Sequence, residues 1–197
     1  MSKGEQTHQM ILERAVRVFN QQGYFGASLA DLMRATGLKK GGIYNHFRSK
    51  EELAVEAFEY AIKLVWDRIQ QEYAGKRHAI ERLIAMMRGY QSLIDDPPVS
   101  GGCPLLNTAI ESDDAQPELK QHARDAMTRW RAWIIRTLDR GIVAGEVCPD
   151  IDGDVLATII ITTLEGGVML SKLYDDPIHI RRAVEHLSAY LRQTLSV

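Results

Sequence analysis

The stretch SLADLMRATGLKKGGIYNHFRSKEEL, residues 28–53, decides the fold of this chain. Ser28 stands before a short apolar pattern, and Asp31 follows three positions later, which predicts a capped helix start. Gly37 predicts a turn, because glycine adopts left-handed backbone angles at little cost. A second short helix is predicted over residues 39–46. Two short helices joined by a tight turn predict a helix-turn-helix, which presents its second helix to the DNA major groove.

The residues of the second helix divide into an inward and an outward set. Ile43 and Phe47 are four positions apart. With Leu38 they are expected to pack on the two preceding helices, which are predicted over residues 7–22 and 29–36. The outward set offers ammonium and hydroxyl groups to phosphates and an amide to an adenine edge. Glycines let the backbone approach the duplex, and groups at helix starts can clamp flanking phosphates. The candidate DNA-binding residues are Ser28, Lys39, Lys40, Gly41, Gly42, Tyr44, Asn45, His46 and Lys50.

Residues 37–47 (GLKKGGIYNHF) and 49–53 (SKEEL) resemble the DNA-binding signature of the TetR family of bacterial transcriptional regulators. The agreement extends upstream through the Ala15, Phe19 and Gly23 pattern, so it covers about a quarter of the chain. One departure is Gly42, where the family often carries a small hydroxyl residue. The resemblance implies an all-α fold, a homodimer formed mainly by the last two helices, and a ligand cavity between the middle helices.

The rest of the chain has helical periodicity and no convincing strand pattern, which predicts an all-α protein of about nine helices. Glycine and proline separate the apolar patterns and set the expected bounds. Residues 1–50 are expected to form the DNA-binding domain, and residues 51–197 a domain for ligand binding and dimerisation. The predicted helices span residues 7–22, 29–36, 39–46, 50–73, 77–94, 104–112, 117–140, 154–173 and 177–195.

The net charge of −2 conceals an uneven distribution along the chain. Residues 1–50 hold eight Lys and Arg against three Asp and Glu, a balance of +5, which leaves −7 for the remainder. A basic front and an acidic body are typical of a phosphate-binding module joined to a part that does not contact nucleic acid. Chance clustering on a solvated surface would give the same numbers.

Composition also bears on location and cofactors. The longest uncharged run, residues 155–164, is shorter than the roughly 20 apolar residues that span a bilayer, and residues 1–7 lack a secretory signal. A cytoplasmic protein without membrane contact is therefore predicted. Two cysteines and scattered histidines predict neither a disulfide framework nor a metal site, and no cofactor is implied.

Residues 155–164 are apolar nearly all round, which is typical of a helix shared between a core and a partner subunit. A monomer with a large internal core would explain the same pattern. Aromatic and methionine side chains of the body suit an adaptable apolar cavity, although such residues also form ordinary cores. The candidate ligand-binding residues are Trp66, Met86, Met87, Tyr90, Leu106, Trp130, Trp133, Glu165 and Met169.

Two of the polar candidates have competing interpretations. Glu165 interrupts an apolar helix, so it is expected either to bind a cationic ligand or to form a salt bridge at the dimer interface. Cys103 stands at a predicted helix start, where the dipole lowers a thiol pKa. It is either a sensor of electrophiles or oxidants or a small buried turn residue.

The leading hypothesis is a repressor that leaves a palindromic operator when a small molecule binds. An activator, or a regulator that needs its ligand to bind DNA, is also compatible with the sequence. An enzyme is not expected, because no nucleophile elbow, phosphate-binding glycine loop or HExxH motif is present. A structural DNA-binding protein without sequence preference is the third class, and a salt titration would distinguish it.

Overall fold

The computed structural model describes residues 2–112 and 116–195. Within these residues the chain is helical and contains no strand, which confirms the all-α prediction. The described residues form nine α-helices, and a short π-helical turn, Leu191–Leu195, follows the last of them. The helices are α1 (Lys3–Gln22), α2 (Leu29–Thr36), α3 (Lys40–Tyr44), α4 (Lys50–Tyr73), α5 (Ala79–Asp95), α6 (Pro104–Glu111), α7 (Pro117–Val143), α8 (Gly153–Leu173) and α9 (Ile178–Tyr190).

Local side-chain chemistry explains where the first helices begin. The Ser2 side chain accepts a hydrogen bond from Glu5 N and the Glu5 carboxylate accepts one from Ser2 N, so α1 starts four residues before the prediction. Ser28 and Asp31 form the expected capping box at the start of α2. Each box satisfies backbone N–H groups that the first helical turn leaves without intrahelical partners.

The chain divides into two compact units. The first comprises the residues through Leu64 together with Val99–Ala126, and the second comprises Val65–Pro98 with the chain from Met127 onward. The first unit therefore contains more than residues 1–50, because α6 and the first turns of α4 and α7 pack with the helix-turn-helix. A division of function at residue 50 stays a prediction.

The core of the first unit holds the helix-turn-helix together. Ile11 and Ala15 of α1, Leu32 of α2, and Ile43 and Phe47 beyond the turn are all at most 1% exposed. They form one apolar cluster with residues of α4, including Leu53. Burial of these side chains fixes the orientation of α3, which is too short to be stable alone.

The second unit is built around α8, which packs against α5 and α9. Gly167 lets α8 and α9 approach closely, since a Cβ there would lie 3.1 Å from the Ile180 Cα. The buried Ser171 hydroxyl accepts a hydrogen bond from Ile180 N at 3.0 Å, which joins the two helices again. Leu164 and Val168 of α8 are fully buried in this core.

The other side of α8 is exposed and apolar. Val155, Ile159, Met169 and Leu173 are 47–69% exposed, although their helix is central to the core. By length and composition α8 could cross a membrane, a property that the shorter run 155–164 did not predict, and 44% of its most apolar window is buried. The core helix of a soluble protein meets the same criterion.

Candidate nucleic-acid interface

The turn between α2 and α3 sets the position of the second helix. Gly37 adopts φ 73° and donates its N–H to Met33 O at 2.9 Å, which closes α2 in the way the sequence predicts. The Lys39 carbonyl then accepts hydrogen bonds from Gly42 N and Ile43 N. α3 is shorter than the predicted span of residues 39–46, since it begins at Lys40 and ends at Tyr44.

The outward face of α3 carries the predicted contact groups. Lys39, Lys40, Gly41 and Asn45 are exposed, whereas Ile43 and Phe47 are 1% exposed, as their spacing predicts. The Lys40 ammonium lies 5.7 Å from the centroid of the half-buried Tyr44 ring, an orientation that leaves both polar ends near the surface. Four of the nine candidates are thus freely accessible on one short segment.

The two glycines of α3 differ in their surroundings. A Cβ added to Gly41 would meet no atom within 4 Å, so its bare backbone faces open space. A Cβ on Gly42 would lie 3.3 Å from the Leu38 Cβ, so the missing side chain of Gly42 relieves packing inside the protein. Close approach of the backbone to DNA is therefore a stronger proposal for Gly41 than for Gly42.

His46 stands in a cluster that the sequence did not predict. Its ring centroid lies 6.2 Å from that of His8 on α1, and His8 stacks on Phe47 at 4.5 Å. His8 Nε2 is 3.2 Å from a carboxylate oxygen of Glu56 on α4. Half-buried His46 is thus packed beside α1, with part of its ring accessible.

The Ser28 hydroxyl already forms hydrogen bonds at the start of α2. It donates to the Asp31 carboxylate and accepts from Asp31 N at 3.2 Å. The hydrogen bond from the Ser28 side chain is the main cause that lowers the Asp31 pKa from its usual range. Ser28 is exposed, so a phosphate clamp there would share a hydroxyl that already caps α2.

Lys50 is held by a residue that sequence reasoning missed. Its Nζ donates to Tyr24 O at 2.7 Å and lies 4.6 Å from the centroid of the Tyr24 ring. The Tyr24 hydroxyl donates to Glu51 at 3.2 Å, and burial together with the Glu51 charge raises the Tyr24 pKa to about 12. Hydrogen bonds from the Glu51 backbone and from Ser49 lower the Glu51 pKa.

A network of amides connects α6 to the end of α1. Asn20 Nδ2 donates to Ser100 O at 2.9 Å and to Gly102 O at 3.1 Å. Asn107 Nδ2 lies 3.0 Å from both Asn20 Oδ1 and Gly101 O. We call Asn20, Gly101 and Asn107 the amide latch. Its members are up to 87 positions apart, so no local pattern predicted it.

The second unit brings four of the nine predicted ligand-binding residues into two aromatic groups. Tyr90 stacks on Trp130 at 4.9 Å, and Trp66 meets Trp130 edge-on at 6.4 Å. Trp133 instead contacts Tyr73 at 4.9 Å. Among the described residues the Trp130 Nε1 has no hydrogen-bond partner although its side chain is 2% exposed. Met86 and Met87 are fully buried on α5.

The remaining candidates lie elsewhere. Met169 is 53% exposed on the outer side of α8, so it does not lie in the interior of the single chain, and its role in ligand binding stays a prediction. Glu165 is 8% exposed, which places its carboxylate within the single chain rather than on that outer side. Leu106 is half-buried on α6. Cys103 precedes α6 and is 2% exposed, so solvent oxidants have little access to its thiol.

No group of three or more metal-ligating side chains occurs in the part of the chain that the structure describes. The exposed groups of α3 and the residues beside it are Lys39, Lys40, Asn45 and the bare backbone of Gly41. These groups can bind phosphate oxygens and base edges.

Comparison with known families gives two matches that together span most of the chain. Residues 11–57 match the family model "Bacterial regulatory proteins, tetR family". Residues 79–187 match "Tetracyclin repressor-like, C-terminal domain". The first match contains the whole helix-turn-helix, and the second covers more than half of the chain.

Similar proteins cover the full length. A TetR transcriptional regulator from Chloroflexus aurantiacus J-10-fl has a crystal structure that is 42% identical, with a TM-score of 0.96 over 100% of both chains. A TetR-family regulator from Cytophaga hutchinsonii is 33% identical, with a TM-score of 0.90 over 100% of this chain and 98% of its own. The HTH-type transcriptional regulator YxaF of Bacillus subtilis is 28% identical over 98% of both sequences.

Proposed function

Since this chain belongs to the TetR family of bacterial transcriptional regulators, which are DNA-binding proteins and not enzymes, we propose that it is a small-molecule-released repressor. In this proposal a homodimer binds a palindromic operator in the cytoplasm. Two-fold symmetry of the protein requires two half-sites about one helical turn, or a multiple of it, apart. The small molecule must bind the released geometry more tightly than the DNA-bound one.

The exposed face of α3 is the observation that carries the proposal. Lys39, Lys40 and Asn45 project from a helix whose opposite side is locked by Ile43 and Phe47. Lysines supply the salt-dependent part of DNA affinity, and an asparagine amide can pair with both polar groups of an adenine edge. Because the buried side chains fix the orientation of α3, its exposed groups can all face the same DNA groove.

The outer side of α8 supports a homodimer. Val155, Ile159, Thr162, Gly166, Met169 and Leu173 follow one another at alternating spacings of four and three, which puts them on one stripe. We call these six residues the α8 stripe. A Cβ on Gly166 would meet nothing within 4 Å, so there is room for a partner helix to come close. Exposed apolar stripes of this length mark protein contacts.

The aromatic residues of the second unit support an effector site. Trp130 is buried with its Nε1 donor unsatisfied among the described residues, which costs about 1–3 kcal/mol. An effector with a hydrogen-bond acceptor would recover part of that cost while stacking on the rings of Trp66, Tyr90 and Trp130. The structure favours a flat, apolar molecule with at least one acceptor.

The amide latch gives the proposed signal a route inside the first unit. A shift of α6 would disturb Asn107, and through it the hydrogen bonds of Asn20 at the end of α1. Glu111 of α6 also accepts a hydrogen bond from Tyr24 N, and Tyr24 in turn holds Lys50 and Glu51. Each of these contacts adjoins a helix of the DNA-binding motif.

A reporter experiment tests the regulatory direction. A DNA site selected by the purified chain is placed in a promoter, and transcription is measured in cells with and without the chain. Repression predicts lower transcription when the chain is present and recovery with a compound that releases the site in vitro. Higher transcription with the chain present would contradict repression and indicate an activator.

A further inference from the structure

An open cavity of about 350 Å³ lies in the second unit, where α5 begins and α7 ends. It is separate from the tryptophan-containing group at Trp66, Tyr90 and Trp130, and none of those three residues lines it. Its charged lining consists of Lys76, Arg77, Arg82, Arg140 and Glu146. Four cations against one carboxylate make this a strongly basic concavity in a part of the sequence that is acidic overall.

The single carboxylate is already occupied. Glu146 accepts a hydrogen bond from Ala79 N at 2.7 Å, at the first residue of α5. This contact shows that an anionic oxygen is stable against the positive end of that helix. Glu146 neutralises one of the four positive charges that line the cavity. The other three positive charges remain without a compensating carboxylate in the lining.

Three of the cations have side chains without a polar partner in the part of the chain that the structure describes. Within the described residues, the side chains of Lys76, Arg77 and Arg140 form no ion pair or hydrogen bond, and all three are exposed. Like charges that share one concavity repel each other, which raises the free energy of the empty site. An anion that enters the cavity relieves this repulsion.

The fourth cation is fixed in place. Arg82 donates from Nη1 to Lys76 O at 3.0 Å, and its guanidinium lies 5.0 Å from the Tyr73 ring centroid and 5.8 Å from that of Trp133. A guanidinium held by two rings and a carbonyl is already ordered, so binding a ligand costs it little rotamer freedom.

Close packing builds the base of the cavity. A Cβ on Gly141 of α7 would lie 2.5 Å from the Ala79 Cβ and 2.6 Å from Val147 Cγ2, so α7 and α5 can meet here only through a glycine. Arg82 and Arg140 therefore lie on tightly packed helices, whereas Lys76, Arg77 and Glu146 are contributed by the segments that flank α5 and α7. α5 also carries Tyr90 and α7 also carries Trp130.

We propose that this basic cavity binds a small, multiply charged phosphate-bearing molecule. Arginine forks match phosphate oxygens in two parallel hydrogen bonds, and the lysine adds a point charge. More than one phosphate group is needed to use cations contributed by the segment before α5 and by both helices. The site is distinct from the proposed effector site and does not depend on it.

Titration calorimetry with pyrophosphate on the full chain, at constant ionic strength, tests this proposal. We expect saturable binding of one pyrophosphate per chain with a dissociation constant below about 1 mM. Arg140→Gln and Lys76→Gln should each weaken binding about tenfold or more, because each removes a charged hydrogen bond. Arg136→Gln, an exposed arginine one turn earlier on α7 and outside the cavity, should leave binding unchanged.

A thermal-unfolding series separates loss of the site from loss of the fold. In chloride buffer, Arg140→Gln should melt at or above the temperature of the unmodified chain, and only its pyrophosphate-dependent increase should disappear. Absence of saturable binding, or equal weakening by Arg136→Gln, would overturn the proposal. A parallel loss of DNA affinity in Arg140→Gln would assign the cavity to DNA phosphates and would overturn it as well.

Discussion

Among single residues, Gly41 is a position where a substitution should lower DNA affinity without lowering the free energy of unfolding. Its missing side chain faces open space on an exposed helix, so the fold has no steric need for glycine there. Gly41→Ala should keep or raise the free energy of unfolding, by up to about 1 kcal/mol, because alanine is the better helix former. The same variant should lose operator affinity, since a methyl group would stand between the backbone and the duplex.

Denaturant unfolding and fluorescence anisotropy measure the two quantities on the same sample. Gly37→Ala serves as the contrasting variant, because Gly37 adopts φ 73° and alanine would be strained there. A Gly41→Ala protein that is destabilised, or that binds DNA as well as before, would remove Gly41 from the interface.

The raised pKa of Tyr24 predicts that the free energy of unfolding falls at alkaline pH. Its pKa is raised to about 12 in the folded chain from an ordinary value of 10. A raised pKa means that the associated stability is complete below pH 10 and is lost as the pH rises through 10 towards 12. Tyr24→Phe should therefore show a smaller fall in its denaturation midpoint between pH 9 and pH 12 than the unmodified chain.

Tyr73→Phe is the control for general alkaline effects, since the Tyr73 ring packs against Trp133 and Arg82 rather than against a carboxylate. If Tyr24→Phe and the unmodified chain lost stability equally over this range, the contact between Tyr24 and Glu51 would not govern the alkaline response.

At the scale of helices, the amide latch predicts a cost for adding one methyl group. A Cβ on Gly101 would lie 2.4 Å from Asn20 O, and Gly101 adopts φ 116°. Gly101→Ala should therefore destabilise the chain by several kcal/mol, from both the clash and the strained backbone. Asn107→Ala should cost about 1–3 kcal/mol, since it leaves latch acceptors unsatisfied.

Gly145→Ala isolates the strain, because Gly145 has φ 70° but open space around a Cβ. Urea unfolding of the three variants gives the comparison. Equal destabilisation by Gly101→Ala and Gly145→Ala would mean that the latch does not hold α6 against α1.

Most helix bounds could be predicted from the sequence, and the misses have physical causes. The start of α1 was missed because Ser2 and Glu5 cap a polar turn that carries no apolar periodicity. The end of α7 was placed too early because Gly141 resembles a stop signal, whereas it lets α7 pack against Ala79 and the helix continues to Val143.

The sequence predicted which residues belong to the candidate DNA interface, but it did not predict which distant residues they contact. The inward and outward residues of α3 followed from their spacing. The contacts of Lys50 with Tyr24 and of His46 with His8 join residues 26 and 38 positions apart, so only the folded chain brings them together. The exposure of Met169 was not predictable, because uniform apolarity leaves the buried side of α8 undefined.

At the scale of the whole molecule, the α8 stripe predicts a dimer that one charge can break. Ile159 is 47% exposed near the middle of the stripe. Ile159→Glu would bury a carboxylate in an apolar contact, which is unfavourable unless it is paired. Sedimentation analysis should find two chains per particle for the unmodified protein and one chain for Ile159→Glu.

Val143→Glu is the matched control, because Val143 is 89% exposed on α7 and lies outside the stripe. It should leave the dimer intact. A dimer that survives Ile159→Glu, or one that Val143→Glu disrupts, would place the interface elsewhere.

Selection of bound sequences from a random DNA pool tests whether a symmetric dimer of this chain binds DNA in a sequence-specific way. The purified chain should enrich a palindrome, with half-sites about one helical turn or a multiple of it apart. Repeating the selection with Asn45→Ala should relax the preference at one position in each half-site. Binding without any enriched palindrome would contradict sequence-specific recognition by a dimer and indicate a structural DNA-binding protein.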